Sequence, residues 1–162
     1  MCIGIFIIEE IKNAKGGILM TIKVAFVGAD SGKWDQRTET VVRLKMRNIM
    51  RYYMSAYPNA FIPISGHSPK GGVDIWAEEI AKELGLEMKI FAPKAFVWWV
   101  VERGEEIGYK KRNMLIAEEC DVLFVFSPSI NGKVVWNGGL WTANYAENLG
   151  KKVHRFVIKK ED

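Results

Sequence analysis

The chain has 162 residues, of which 49% are hydrophobic and 26% charged, and its formal net charge is +4. These values are typical of one globular domain, and the mild positive charge does not by itself require a nucleic-acid partner. The two cysteines, Cys2 and Cys120, lie far apart without a CxxC motif, which argues against a disulfide scaffold and favours a reducing, cytoplasmic compartment. The two histidines are distant from each other and from the cysteines, so we expect no metal site and no cofactor.

The first nineteen residues differ from the rest of the chain. Residues 3–8 are apolar but too few to span a bilayer, and no basic residue precedes them, so neither a membrane span nor a secretory signal is expected. Codons for Lys15-Gly16-Gly17 are purine-rich, as in a ribosome-binding site just ahead of Met20. Residues 1–19 are therefore predicted to be an N-terminal extension upstream of the native start. The alternative is an additional strand over residues 2–8.

From Met20 onward, strand and helix patterns alternate within one predicted domain, residues 20–162. Short apolar runs predict strands over residues 22–27, 61–65, 88–91, 121–126 and 153–158, and helical spacing predicts helices over residues 35–57, 73–84, 112–119 and 138–149. Pro63 fits its strand poorly, because proline cannot donate to a strand ladder. Residues 92–109 fit either a short helix or a flap, and the apolar residues 96–101 fit either a dimer interface or core.

This alternation predicts an α/β fold: a Rossmann-like, doubly wound, mainly parallel sheet of about five strands in the order 3-2-1-4-5. Ligands of such sheets bind beyond the carboxyl ends of the strands, at the point where the strand order reverses. That crevice lies between the first and fourth strands. The glycine-, serine- and asparagine-rich loops at residues 28–32 and 127–139 are expected to form it.

The pair Gly138-Gly139 opens a helix at this crevice. Glycine allows close backbone approach, and a helix N-terminus offers free N–H groups, so a phosphate site is predicted there, with Thr142 adding a hydroxyl. Arg112 follows two lysines at another helix start, where cations oppose the helix dipole unless an anion is near. Its guanidinium matches phosphate in a bidentate way.

Two further glycine loops carry weaker signals. Gly71-Gly72 precedes Asp74, which is either a structural residue of the first helical turn or a ligand contact such as one to ribose hydroxyls. The loop from Gly28 to Lys33 resembles a P-loop, but its spacing is one residue short and Trp34 replaces the Ser or Thr that binds magnesium. It suits a base or a phosphate, while the absence of GxGxxG disfavours an NAD site.

Several other features have alternative interpretations. Arg43, Arg47 and Arg51 form a basic row that is either a solvated face or a nucleic-acid contact. The six tryptophans include residues able to stack bases, although Trp76 and Trp141 are expected to pack against the sheet. His67 is either incidental or an acid–base group.

The order and spacing of these motifs resemble the SLOG superfamily over residues 22–158. The matching segments are residues 24–30, Ser65-Gly66, residues 71–74, Arg112-Asn113, Ile116-Ala117, residues 121–126, Gly138-Gly139 and Thr142-Ala143. The most similar branch is that of the YspA-like proteins, which are related to the Lonely Guy cytokinin-activating enzymes and to DNA-processing protein A. The resemblance implies a Rossmann-like protein that binds a nucleotide-type small molecule.

Lonely Guy enzymes hydrolyse the N-glycosidic bond of nucleoside 5′-monophosphates, and Arg112, Gly138, Gly139 and Thr142 match their phosphate site by position. Trp141 replaces a glycine there. Asn144 stands where a catalytic glutamate is expected, with Glu147 as a substitute one turn later. The predicted ligand-binding residues are Gly28, Asp30, Ser65, Gly66, Gly71, Gly72, Asp74, Arg112, Asn113, Ser127, Gly138, Gly139 and Thr142.

These residues lead to one main expectation and two alternatives. The main expectation is a nucleotide-binding or sensing protein without an assigned catalytic residue. The alternatives are a phosphoribohydrolase-like enzyme and a single-stranded nucleic-acid binder. The apolar run at residues 96–101, if it is not core, also fits self-association as a dimer.

Overall fold

The computed structural model describes residues 21–161. The predicted N-terminal extension, residues 1–19, and the choice between the two start residues lie outside the described residues. In chain order the described elements are β1 (Ile22–Gly28), α1 (Gln36–Ala56), β2 (Phe61–Ser65), α2 (Val73–Glu83), β3 (Lys89–Ile90), β4 (Val100–Glu102), β5 (Glu105–Ile107), α3 (Tyr109–Glu119), β6 (Val122–Ile130), β7 (Lys133–Val134), α4 (Gly138–Asn148) and β8 (Lys152–Lys159).

The central sheet is mainly parallel, with its parallel strands in the order β3-β2-β1-β6-β8. This confirms the predicted α/β class, the Rossmann-like architecture and the strand order 3-2-1-4-5. The short β3 pairs only with Ile64 and Ser65, so the side of β2 away from β1 is open next to Pro63. A proline is tolerated there because the open side has no ladder bond to lose.

The sheet is covered on both faces, as alternating side chains of β1 illustrate. Val24 and Phe26 belong to a core cluster with α1 and α2, whereas Ala25 and Val27 belong to a second cluster with α3 and α4. Successive side chains of a strand point to opposite faces, so a strand with helices on both sides is apolar at every position. The predicted apolar stripe of α1 is fully buried: Val42, Met46, Ile49, Met50 and Tyr53.

The structure corrects three element boundaries. β6 continues through Ser127 to Ile130 because β8 pairs with it as far as Ser129, so the predicted loop over residues 127–139 is wrong at its beginning. α3 begins at Tyr109 rather than residue 112, since the flap supplies acceptors for its first amides. The predicted third strand shrinks to the two residues of β3.

The unassigned stretch before α3 is a flap built on the antiparallel hairpin β4–β5, and not a short helix. We use "flap" for residues 92–108. The apolar run at residues 96–101 is largely exposed, with Phe96 at 70% and Trp99 at 51%, so the alternative that this run forms core is wrong. Among residues 21–161, no helix combines the length and apolar character needed to cross a membrane.

Candidate functional site

A cavity of about 230 Å³ opens at the carboxyl end of β1, between β1 and β6. This is the point where the strand order reverses and where ligands of parallel α/β sheets bind. Eight of the predicted site residues line it: Gly28, Asp30, Asp74, Arg112, Asn113, Gly138, Gly139 and Thr142. The topology therefore brings together residues more than a hundred positions apart in the sequence.

Five predicted site residues do not line this cavity: Ser65, Gly66, Gly71, Gly72 and Ser127. Four of them form hydrogen bonds with residues that do, among them Gly71, whose amide donates to the Ser68 carbonyl at 3.0 Å. The Ser65 hydroxyl donates to the Asp74 carbonyl at 3.1 Å, and the Gly66 carbonyl accepts from Arg112 Nη1. Ser127 Oγ accepts from Asn137 Nδ2 at 3.0 Å. These residues therefore lie outside the lining and hold lining residues in place through hydrogen bonds.

The cavity depends on a close approach between β1 and the start of α4. A Cβ atom on Gly139 would lie 2.5 Å from both the Cα and the nitrogen of Gly28. A Cβ on Gly28 would collide with the carbonyl oxygen of Phe126. Glycine at both positions lets the helix start rest directly on the strand end, which places the neighbouring Gly138 at the cavity surface.

Three helices of the described chain begin at this cavity, and in two of them the first amide already has an acceptor in another segment. At α2 the amide of Val73 donates to the Ala29 carbonyl at 3.2 Å. At α3 the amides of Tyr109 and Lys110 donate to flap carbonyls, each at 2.9 Å. A helix start whose amides have acceptors offers less to an anion.

The start of α4 is different because its first amides remain open. Asn137 caps the helix by accepting from the Leu140 amide at 3.2 Å. Within residues 21–161, the amides of Gly138 and Gly139 donate to no acceptor. Free N–H groups and the positive end of the helix dipole together favour an anion at this position.

Arg112 is a buried cation held in one orientation. Its side chain is 10% exposed, Nε donates to Asn113 Oδ1 at 2.7 Å, and Nη1 donates to the Gly66 carbonyl. Nη1 also lies 3.8 Å from Asp74 Oδ2. Burial lowers the pKa of Arg112, with Asp74 opposing the shift, but a guanidinium stays charged in proteins. None of these contacts uses Nη2.

Asp74 is a buried carboxyl group on the cavity wall. Burial raises its pKa to about 6, while Arg112 and a hydrogen bond from the Ser68 amide oppose the shift. Glu78 raises the pKa further and His67 lowers it. A carboxyl group in a cleft with such a pKa is able to exchange a proton near neutral pH.

Sequence reasoning missed several residues that line the cavity: Lys33, Ser68, Lys70, Trp98, Tyr109 and Asn137 among them. Asn137 carried a usable signal, since asparagine directly before a helical pattern is a favoured N-cap. Lys33 and Lys70 lay inside glycine loops that had been singled out. Together with Arg112 they give the lining three cations against the two carboxylates of Asp30 and Asp74. Trp98 is one of the six tryptophans noted as able to stack bases, but only the fold of the flap brings it to the cavity.

Other candidates lie away from this cavity. Asn144 and Glu147 do not line it, and both accept hydrogen bonds from Arg155. Arg43 and Arg47 form ion pairs with Glu79 and Glu83 of α2 at 2.7 and 3.0 Å.

Two tryptophans and one histidine among the candidates also lie outside the cavity lining. Trp76 is buried in the core cluster of α1 and α2, as expected. Trp141 packs on Trp98 and Tyr145, which corrects the expectation that it packs against the sheet. His67 Nδ1 lies 2.9 Å from Glu78, outside the cavity lining.

Comparison with known proteins finds a similar fold at low sequence identity. No protein-family model matches the chain, and no curated protein matches it significantly in sequence. Among solved structures, the molybdenum cofactor carrier protein from Chlamydomonas reinhardtii is similar, with a TM-score of 0.57 and 15% identity over 88% of this chain and 91% of that chain. At this identity the likeness shows the shared fold alone. The narrower resemblance to the YspA-like branch stays a prediction.

Proposed function

We propose that this protein binds a phosphate-bearing, nucleotide-type small molecule, with the phosphate at the start of α4 and against Arg112. One observation carries the proposal: the open amides of Gly138 and Gly139 line the same cavity as a buried, pre-oriented guanidinium. Backbone N–H groups at a helix start and a guanidinium fork are the two commonest partners of phosphate oxygens in proteins.

The charge balance of the lining supports the same ligand class. Lys33 and Lys70 add positive charge next to Arg112, although Lys33 lies 3.4 Å from Asp30. An anion in the cavity would supply negative charge next to the Arg112 guanidinium, as the Asp74 carboxylate does in its absence. Charge-assisted hydrogen bonds of this kind contribute about 1.5 to 3 kcal/mol each.

The proposed role is binding, carriage or sensing rather than catalysis. The solved structure of similar fold is that of a molybdenum cofactor carrier protein. A carrier has to bind its ligand and does not need a pair of catalytic residues in its pocket. Asn144, which stands where the resemblance expects a catalytic glutamate, and Glu147, the candidate substitute for that glutamate, both lie outside the cavity lining. Membership of the YspA-like branch is part of this proposal and rests on the motif order.

Titration calorimetry with orthophosphate, AMP, GMP and ADP-ribose tests the proposal. Gly138→Ala is the decisive variant, because it adds a methyl group at the start of α4, where the phosphate is proposed to bind. The added Cβ would lie 3.8 Å from Asn113 Nδ2, an ordinary contact, so the folded protein accommodates it without a clash. We expect affinity for every phosphate-bearing ligand to fall about ten-fold or more.

Gly32→Ala is the matched control. Gly32 does not line the cavity, and its Cβ would meet Asp30 Oδ1 at 3.4 Å. This variant should bind as the wild type does. Absence of binding by the wild-type protein, or equal binding by Gly138→Ala, contradicts the proposal.

A second candidate function is hydrolysis of a nucleoside monophosphate, and Asp74 is the observation that favours it. A cavity carboxyl group with a pKa of about 6 is suited to protonate a leaving base while water adds to the sugar carbon. Release of free base from AMP and GMP, measured by chromatography, tests this candidate. Base release by the wild type that is lost in Asp74→Asn would support it, and inactivity of the wild type would remove it.

A further inference from the structure

Trp98 is a half-exposed aromatic residue at the cavity. Trp98 lines the cavity although it belongs to the flap, and it is 44% exposed. The other aromatic residue of the lining, Tyr109, is less exposed, and the Arg112 guanidinium lies 5.6 Å from its ring centroid. Trp98 is therefore the aromatic surface of the lining that is more accessible to a ligand.

The Trp98 ring is held in place before any ligand arrives. Its indole meets Trp141 edge to face, with centroids 5.1 Å apart at 84°, and Trp141 stacks on Tyr145 at 5.4 Å and 8°. The backbone of Trp98 is fixed as well, because its carbonyl accepts from the Lys110 amide at 2.9 Å. An edge-to-face contact with Trp141 covers at most one face of the Trp98 indole, which leaves a face for stacking.

The size of the cavity calls for a second binding surface at its mouth. A volume of about 230 Å³ is below the roughly 300 to 1,000 Å³ of pockets that enclose a whole ligand. A phosphate and its sugar would fill the polar floor near Gly138 and Arg112. The remainder of the ligand then lies at the mouth, where Trp98 is exposed.

We infer that Trp98 stacks on a planar heterocycle of the ligand and selects ring-bearing phosphates over simple sugar phosphates. The inference rests on the proposed function. It extends that function by naming the class of ligand and the residue that contacts the ring of the ligand. The cavity has two halves: a phosphate half at the start of α4 and an aromatic half supplied by the flap. Stacking tolerates any flat ring, so Trp98 sets the class of ligand and not the identity of the base.

Calorimetry with AMP and GMP, their nucleosides, and ribose 5-phosphate separates the two halves. In Trp98→Leu we expect affinity for the nucleotides and nucleosides to fall about ten-fold or more, while binding of ribose 5-phosphate is unchanged. Trp98→Phe should restore most of the loss, because it keeps an aromatic face. Leucine retains an apolar contact with Trp141, and unchanged thermal melting checks that the flap stays folded.

Trp99→Leu is the matched control. Trp99 is the neighbouring exposed indole, hydrogen-bonded to Glu106 at 3.2 Å and absent from the cavity lining. It should bind all ligands as the wild type does.

The outcomes distinguish this inference from the proposed function. Equal effects of Trp98→Leu on nucleotides and ribose 5-phosphate, or no effect, overturn the stacking role while phosphate binding stands. Binding of nucleosides that depends on Trp98, without any binding of ribose 5-phosphate or dependence on Gly138, supports stacking and overturns the phosphate site. If the wild-type protein binds none of these molecules, both are overturned.

Discussion

Two glycine pairs begin helices at the carboxyl end of β1, and they differ in what they leave open. Gly71-Gly72 leads into α2, and Gly138-Gly139 opens α4. Both pairs bring a helix start into contact with the β1 end or the loop after it. In sequence they look alike, as glycine pairs with a polar residue close by.

The start of α2 is only partly closed: its first amide has an acceptor, whereas the amides of Asp74 and Ile75 donate to no acceptor within residues 21–161. Gly72 has a φ of +87°, and a Cβ there would collide with the Ala29 carbonyl, which also accepts the Val73 amide. Asp74 supplies a carboxylate within the first turn. The start of α4 carries no acidic residue in its first turn and is capped only by Asn137. A helix start is thus available to a ligand only where its neighbours in the fold leave the amides and the dipole uncompensated.

The largest expected effect concerns the carboxyl group in the first turn of α2. The pKa of Asp74 is raised to about 6, so between about pH 4 and pH 6 the folded protein holds a proton that the unfolded chain has lost. Stability should therefore fall as pH rises through this window, by about 3 kcal/mol.

Urea unfolding at pH 4, 5, 6 and 7 measures this effect. Asp74→Asn should remove that part of the pH dependence. An identical pH profile in the variant would show that the buried carboxyl group of Asp74 does not cause the pH dependence of stability.

The next effect concerns the two adjacent glycines of α4. Gly139→Ala should destabilise the protein by about 2 kcal/mol, because its Cβ would lie 2.5 Å from the backbone of Gly28. Gly138→Ala should change the free energy of unfolding by less than about 0.5 kcal/mol, as expected where no contact is strained. Chemical denaturation of the two variants compares them. Similar stabilities would mean that α4 does not rest on β1 as closely as the structure shows.

The smallest effect concerns the cap of α4. Asn137→Ala removes the acceptor of the Leu140 amide and the donor to Ser127 Oγ, and should cost about 1 kcal/mol of stability. Asn137→Asp restores an N-cap acceptor and should recover part of that loss. Thermal melting of both variants tests this, and an unaltered melting temperature in Asn137→Ala would show that the cap contributes nothing.

Much of the fold was predictable because its determinants are local. Continuous apolar runs mark strands covered on both faces, and the 3.6-residue spacing of Val42, Met46, Ile49 and Tyr53 marks one helix face. Alternation of the two leaves few topologies, and the predicted strand order is the one observed. The location of the crevice follows from that order alone.

The roles of individual residues were less predictable because they depend on distant partners. Gly66 and Arg112 are 46 positions apart, and their hydrogen bond turns a predicted ligand contact into a support of the guanidinium. The resemblance placed Asn144 at a catalytic position, yet it lies outside the cavity lining. Neither result is visible in a single stretch of sequence.

The sequence by itself determined the sheet, its strand order and the presence of glycines at the crevice, since periodicity and backbone freedom are properties of short segments. The tertiary structure alone decided at which of the two glycine pairs the first helical amide stays open and which aromatic residue reaches the cavity. Those outcomes depend on acceptors, such as the flap carbonyls at α3 and the Ala29 carbonyl at α2, that other segments bring within hydrogen-bonding distance. Hydrogen bonding acts over about 3 Å, so only the folded chain decides which groups are used.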